Sequence, residues 1–265
     1  MNNSMIIGQF VPGNSLIHRL DPRMKMIIIF FYVIFVFFAN NVLSYSLLSA
    51  FVILTIITTR IPLRFILRGL MPIWLLIVFT LLIHFFLTKE GPVVIEIFAI
   101  KIHQGGIIQG LVISLRFCLL ILMTSLLTLT TTPIEITDAI ESLLKPLKKV
   151  KFPVHELALM MSISLRFIPT LVQETDKISK AQASRGVDFR TGPIKERIKS
   201  IIPLLVPLFV SAFKRAEELA MAMEARGYQG GEGRTKLREL RFQLIDFTVL
   251  SLFICVVILL FIVRH

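Results

Sequence analysis

Five stretches of this chain are almost free of charge: residues 26–39, 42–59, 69–87, 107–129 and 245–263. An α-helix needs roughly 20 apolar residues to cross the hydrocarbon of a bilayer, and only helices and closed barrels satisfy their own backbone hydrogen bonds there. The runs therefore predict an all-α integral membrane protein with about five transmembrane helices. The 55% hydrophobic content and 22 Phe exclude an ordinary soluble domain. The first run is short, but Arg23 and Lys25 at one end and Asn40-Asn41 at the other allow extension, and with 42–59 it reads as a tight helical hairpin. Residues 60–68 read as a basic loop with a proline stop. In the 88–106 loop, 93–100 reads as either a short strand or an interfacial patch.

A net charge of +12 raises nucleic acid as a partner, but the placement of the charges points to a bilayer instead. With the N-terminus in the cytoplasm, 25 Lys and Arg fall on the inner side and 3 on the outer, with Arg116 inside a span. The positive-inside rule favours this topology, which leaves the C-terminus outside and makes the basic region 132–243 cytoplasmic. The domains expected are a four-span membrane domain over 1–131, a cytoplasmic coupling domain over 132–243, and a final transmembrane helix over 244–265. The first 25 residues, with Pro12, Gly13 and Pro22, lack a cleavable signal pattern, so the first span acts as its own signal.

Catalytic chemistry is hard to find. The five His are scattered without metal-ligand spacing, and Cys118 and Cys255 lie in apolar runs, where they read as reduced packing residues. The glycine-rich segment 227–236 lacks the Gly-Lys-Ser/Thr ending of a phosphate loop and reads as a flexible connector, with Lys236, Arg238 and Arg241 anchoring the last span. The first four spans contain no Asp or Glu in their interiors, which disfavours a self-sufficient secondary carrier.

The polar region carries one pattern twice. Ala181-Gln182-Ala183-Ser184-Arg185-Gly186 and Ala222-Met223-Glu224-Ala225-Arg226-Gly227 both read Ala, two free positions, a small residue, Arg, Gly. Each follows a helical run, and the Gly is the expected stop in left-handed conformation. A plainer reading is that each Arg complements a helix dipole, worth about 0.3–1 kcal/mol. That accounts for the Arg but not for the repeated small residues. Two protruding helix ends of one design suggest two similar sockets.

A second echo pairs Ile113-Ser114-Leu115-Arg116-Phe117 with Ile163-Ser164-Leu165-Arg166-Phe167. An Arg inside a span usually faces a partner or a cavity, which makes Arg116 a functional candidate; the competing role is structural, bonding loop carbonyls between helices. Thr132-Pro133-Ile134-Glu135 reads as a capping box opening a helix to about residue 144. The apolar segments 157–172 and 201–213 are short or proline-interrupted and read as interfacial or packed on each other, giving five spans, with seven as the alternative. Leu20-Asp21-Pro22-Arg23 reads as a helix start with basic surface anchors in preference to a specific contact.

Together these residues resemble the transmembrane T component of energy-coupling factor (ECF) transporters, bacterial ATP-driven importers of vitamins and transition-metal ions. The resemblance covers nearly the whole chain. Its most specific parts are Ala183-Ser184-Arg185-Gly186 and Ala225-Arg226-Gly227. Leu20-Asp21-Pro22-Arg23, the Thr-rich run 127–133 and Leu165-Arg166-Phe167-Ile168-Pro169 are similar too. It implies that the two Arg-bearing helices dock into grooves of two ABC-type ATPases while the membrane helices hold an exchangeable substrate-binding S component. It also implies a bacterial cell-membrane location, no catalysis and no cofactor on this chain, ATP and Mg being held by the ATPases, and a structural or coupling role for Arg116, Arg166, Asp21 and Arg23. The alternative function is a stand-alone secondary transporter or channel whose basic cytoplasmic domain binds lipid.

Overall fold

A computed structural model describes residues 10–88, 90–97, 100–187, 193–230 and 240–264. The helices are α1 (Leu16–Arg19), α2 (Pro22–Val36), α3 (Val42–Thr59), α4 (Leu63–Leu87), α5 (Gln104–Thr130), α6 (Pro133–Leu144), α7 (Val154–Ser184), α8 (Ile194–Ala225) and α9 (Leu244–Arg264). A 3-10 helix, Lys145–Val150, follows α6. The expected all-α membrane architecture forms, with one small addition. Strands β1 (Val93–Ile97) and β2 (Ile100–His103) pair antiparallel, placing Ile95 opposite Ile102 and Ile97 opposite Ile100, so the strand reading of 93–100 is the one realised.

Two compact units divide the chain: residues 1–139 with 240–265, and residues 140–239. In the first, α2, α3, α5 and α9 share one core in which Tyr32, Leu48, Phe51, Leu119, Met123, Phe253 and Leu260 are buried. The outward faces remain apolar: Trp74 is 67% and Leu75 80% exposed, the arrangement of side chains that meet lipid. The helices α3, α5 and α9 are each long and apolar enough to cross a membrane. The fourth, α4, bends by 58° between Leu63–Met71 and Ile73–Leu87, with Pro72 at the break.

The 60–68 loop is shorter than expected. Arg60 ends α3 in left-handed conformation at φ 53, and α4 starts at Leu63, because Pro62 stops one helix and caps the next. At α2 the first turn is set by Asp21, whose carboxylate accepts from the amide of Arg23 while Pro22 takes the position that needs no donor. That places α2 earlier than the 26–39 run; at 15 residues it is about 22 Å long. Antiparallel packing of α4 on α5 is close at Gly106, where a Cβ would lie 2.6 Å from the His84 carbonyl oxygen.

The predicted capping box opens α6: the Thr132 amide donates to Glu135 Oε2 at 3.0 Å and the Glu135 amide to Thr132 Oγ1 at 3.3 Å. In the second unit, α7 and α8 are long helices of 31 and 32 residues. They absorb the apolar segments 157–172 and 201–213, so neither is a separate element. By length and composition α7 also qualifies as a membrane-crossing helix, and α8 is not among those that do.

Candidate docking site

Both copies of the repeated pattern end their helices in the same backbone motif. After α7, the Gly186 amide donates to the Ala183 carbonyl and the Val187 amide to the Gln182 carbonyl, both at 3.0 Å. After α8, the Gly227 amide donates to the Glu224 carbonyl at 2.9 Å and the Tyr228 amide to the Met223 carbonyl at 3.0 Å. These are the paired bonds of a Schellman cap, with the glycine left-handed, φ 85 at Gly186 and φ 73 at Gly227. Sequence places Arg at the cap itself and Gly one residue beyond, and the geometry follows at both ends. Among the described residues, and apart from the chain neighbours, no side chain or backbone lies within 4 Å of where a Cβ would stand on either glycine. Arg185 and Arg226 are exposed, with Ser184 and Ala225 beside them, and among the described residues neither guanidinium has a hydrogen bond or ion pair.

The helices that carry these ends run antiparallel. Gln182 Nε2 donates to the Pro203 carbonyl at 3.3 Å, Ser211 Oγ donates to Glu174 Oε1 at 2.6 Å, and Arg215 pairs with Glu174 Oε2 at 2.8 Å. The two arginines therefore project from opposite ends of one hairpin, since α8 runs about 35 Å from Pro203 to Arg226 at ~1.5 Å per residue. The Gln182 contact has a local cause. Pro207 has no N–H to donate to the carbonyl four residues earlier, which is that of Pro203, and the Gln182 amide supplies the missing donor.

At the second end, α7 and α8 enclose a cleft of about 580 Å³ whose lining includes Arg166, Arg226, Met223 and Tyr228. Arg166 and Arg226 are thus brought to one place, while Arg185 is at the other end of the hairpin. The echo between the segments around Arg116 and Arg166 does not extend to their environments. Arg116, in the first unit, donates through Nε and Nη2 to the Tyr45 hydroxyl at 3.1 and 2.7 Å and lies over the Phe37 ring. The contact joins α5 to α3 through a side chain and not through loop carbonyls.

Asp21 starts α2 as expected, but Arg23 and Lys25 are not surface anchors. Arg23 bonds Asp21 through Nε and Nη2, donates to the Leu240 carbonyl at 2.6 Å, and stacks over Phe242. Lys25 is buried and donates to the Thr130 carbonyl at 3.0 Å and Thr131 Oγ1 at 3.2 Å. Asp246, fully buried, accepts from the amides of Asp21 and Gln243. Sequence reading missed Lys25, Tyr45 and Asp246 as partners because each contact joins residues far apart in the chain. It also treated Gln182 and Met223 as free positions of the repeat. Both thiols, Cys118 and Cys255, are free. The connector beyond Gly230, including Lys236 and Arg238, lies outside the described residues.

Comparison with known proteins gives the family. The CbiQ family profile, described as Cobalt transport protein, matches residues 13–237. The chain is 63% identical over 264 residues to the energy-coupling factor transporter transmembrane protein EcfT of Bacillus subtilis (strain 168), covering all of both chains. It is 56% identical over 246 residues to the protein of that name from Macrococcus caseolyticus, covering 93% of each. With the Staphylococcus aureus protein it shares 48% over 265 residues, covering 100% of this chain and 99% of the relative. The chain belongs to this CbiQ and EcfT family, the transmembrane proteins of energy-coupling factor transporters.

Proposed function

We infer that this chain is the non-catalytic scaffold of an ECF-type importer of vitamins or other micronutrients, coupling ATP hydrolysis by two ABC ATPases to an exchangeable substrate-binding S component. The carrying observation is the pair of matching helix ends: Arg185 and Arg226, exposed and without a partner among the described residues, each on a Schellman cap, at opposite ends of one hairpin. Such an arrangement suits two related but separate sockets. Ala183, Ser184, Arg185 and Gly186 form one docking end, and Ala225, Arg226 and Gly227 the other. A planar guanidinium forks onto a carboxylate in charge-assisted bonds, and a central interface Arg commonly costs about 2 kcal/mol or more when truncated.

The S component is expected on apolar surface. On α8, Ile202, Val206, Phe209, Val210 and Phe213 are exposed at helical spacing, a stripe that supports contact with an apolar partner. Closure of the ATPase pair on ATP moves the two ends, and α7 and α8 carry that motion to the S component. The chain sits in the bacterial cell membrane with its N-terminus in the cytoplasm and C-terminus outside, on the charge asymmetry of its loops. It holds no cofactor of its own; ATP and Mg belong to the ATPases. Purification of the tagged chain from its native cells in mild detergent tests this reading. Two P-loop ATPases and a small hydrophobic protein are expected with it, and solute flux or nucleotide hydrolysis by the chain alone would overturn it.

A further inference from the structure

The two docking ends share a cap but not their surroundings. At the first, Gln182 commits its amide to the Pro203 carbonyl. At the second, the corresponding Met223 lines the cleft of about 580 Å³ together with Arg166, Arg226, Phe167 and Tyr228. Two guanidiniums line this cleft, and among the described residues no Asp or Glu does. Neither guanidinium has a hydrogen bond or ion pair among the described residues. Both side chains are exposed, so the cleft is open to water, and two like charges lining one concavity make it a region of positive potential that attracts an anion.

We propose that this cleft receives an acidic segment of one of the two ATPases, so that the second end grips its partner with Arg166 and Arg226 together while the first end uses Arg185 alone. This rests on the docking reading above and adds to it what tells the two ATPases apart. A carboxylate fits because Arg presents a fixed planar fork, and two forks from different helices hold one carboxylate, or two adjacent ones, in a single orientation. The cleft is continuous with the capped end at Gly227, which also lines it, so among the described residues a segment docking on Arg226 reaches Arg166 without crossing another element. Discrimination between partners then comes from charge: a socket lacking the second carboxylate leaves one guanidinium unsatisfied.

The experiment uses the full-length chain in nanodiscs and each ATPase subunit purified separately, with affinities measured for Arg166→Glu, Arg166→Gln, Arg226→Glu and Arg185→Glu. One subunit is expected to lose affinity by about tenfold or more with Arg226→Glu and with both Arg166 variants. The other subunit is expected to respond to Arg185→Glu only. Because Arg166 is exposed and Arg166→Gln removes the positive charge without adding a negative one, a matching loss from it separates lost charge from a disturbed fold. Arg166 variants that leave both subunits unchanged, or weaken both equally, overturn the proposal while leaving the docking reading in place. If neither Arg185→Glu nor Arg226→Glu affects either subunit, the docking reading itself fails. Loss of binding to phosphatidylglycerol vesicles on Arg166→Gln, with ATPase binding intact, makes the cleft a lipid headgroup site and also overturns the proposal.

Discussion

The backbone amide of Asp21 donates to the carboxylate of Asp246 at 2.8 Å, joining the start of α2 to the start of α9 across 225 positions of sequence. Asp246 is fully buried, and its second oxygen accepts from the Gln243 amide at 2.6 Å. Removal of the carboxylate strands the buried Asp21 amide and unpairs that of Gln243. Asp246→Ala is expected to destabilise the chain by about 2–4 kcal/mol, and Asp246→Asn by less because one acceptor oxygen remains. Thermal unfolding of the purified chain in detergent checks this, and an unchanged midpoint for the Ala variant would show the node to be incidental.

Arg116 and Tyr45 give a test with a sign. Tyr45→Phe removes the one hydroxyl that Arg116 bonds among the described residues and leaves its guanidinium without a hydrogen-bond acceptor between α5 and α3, at an expected cost of about 1.5–3 kcal/mol. Arg116→Met removes the charge along with its need and is expected to cost less, since an isolated charge inside a span is itself unfavourable. The same unfolding measurement ranks the two variants, and the reverse order would make Arg116 something other than a structural tie.

At Gly186 and Gly227 the space is open and only the backbone conformation is demanding. Replacement by Ala is expected to cost roughly 1–2 kcal/mol at each cap through the left-handed conformation alone, and replacement by Asn less. Hydrogen exchange at the last turns of α7 and α8 reads the fraying directly. Equal protection in the Ala and wild-type chains would mean that the glycines serve some other purpose.

Gln182→Leu keeps the bulk of the side chain but leaves the Pro203 carbonyl without the donor that compensates for Pro207. The expected cost is about 1 kcal/mol, localised to the contact between α7 and α8. Faster amide exchange over residues 204–211, with the first unit unaffected, is the predicted pattern, and a change confined to α9 would contradict it.

Much of the fold is readable in the sequence because it is written in local terms. Uncharged runs give α3, α5 and α9, the Thr132 and Glu135 pairing gives the start of α6, and Arg-Gly at two helix ends gives two left-handed caps. What is not readable depends on partners distant in the chain. Lys25 looks like a surface anchor because its acceptors, Thr130 and Thr131, lie more than a hundred residues away. Asp246 looks like a charge at the edge of a span until the amide of Asp21 is placed against it. The two prolines of α8 suggest an interrupted segment, and nothing local reveals that Gln182 completes the helix between them. Of the docking ends, the sequence shows the arginines and their caps, but the meeting of Arg226 with Arg166 follows only from the antiparallel course of α7 and α8.

Reversing charge at both helix ends of the full-length chain, Arg185→Glu with Arg226→Glu, and counting the ATPase subunits that co-purify with it tests the central claim most directly. The account predicts that both ATPases are lost while the chain stays folded in the membrane and uptake by cells stops. Retention of both subunits together with normal uptake would contradict it.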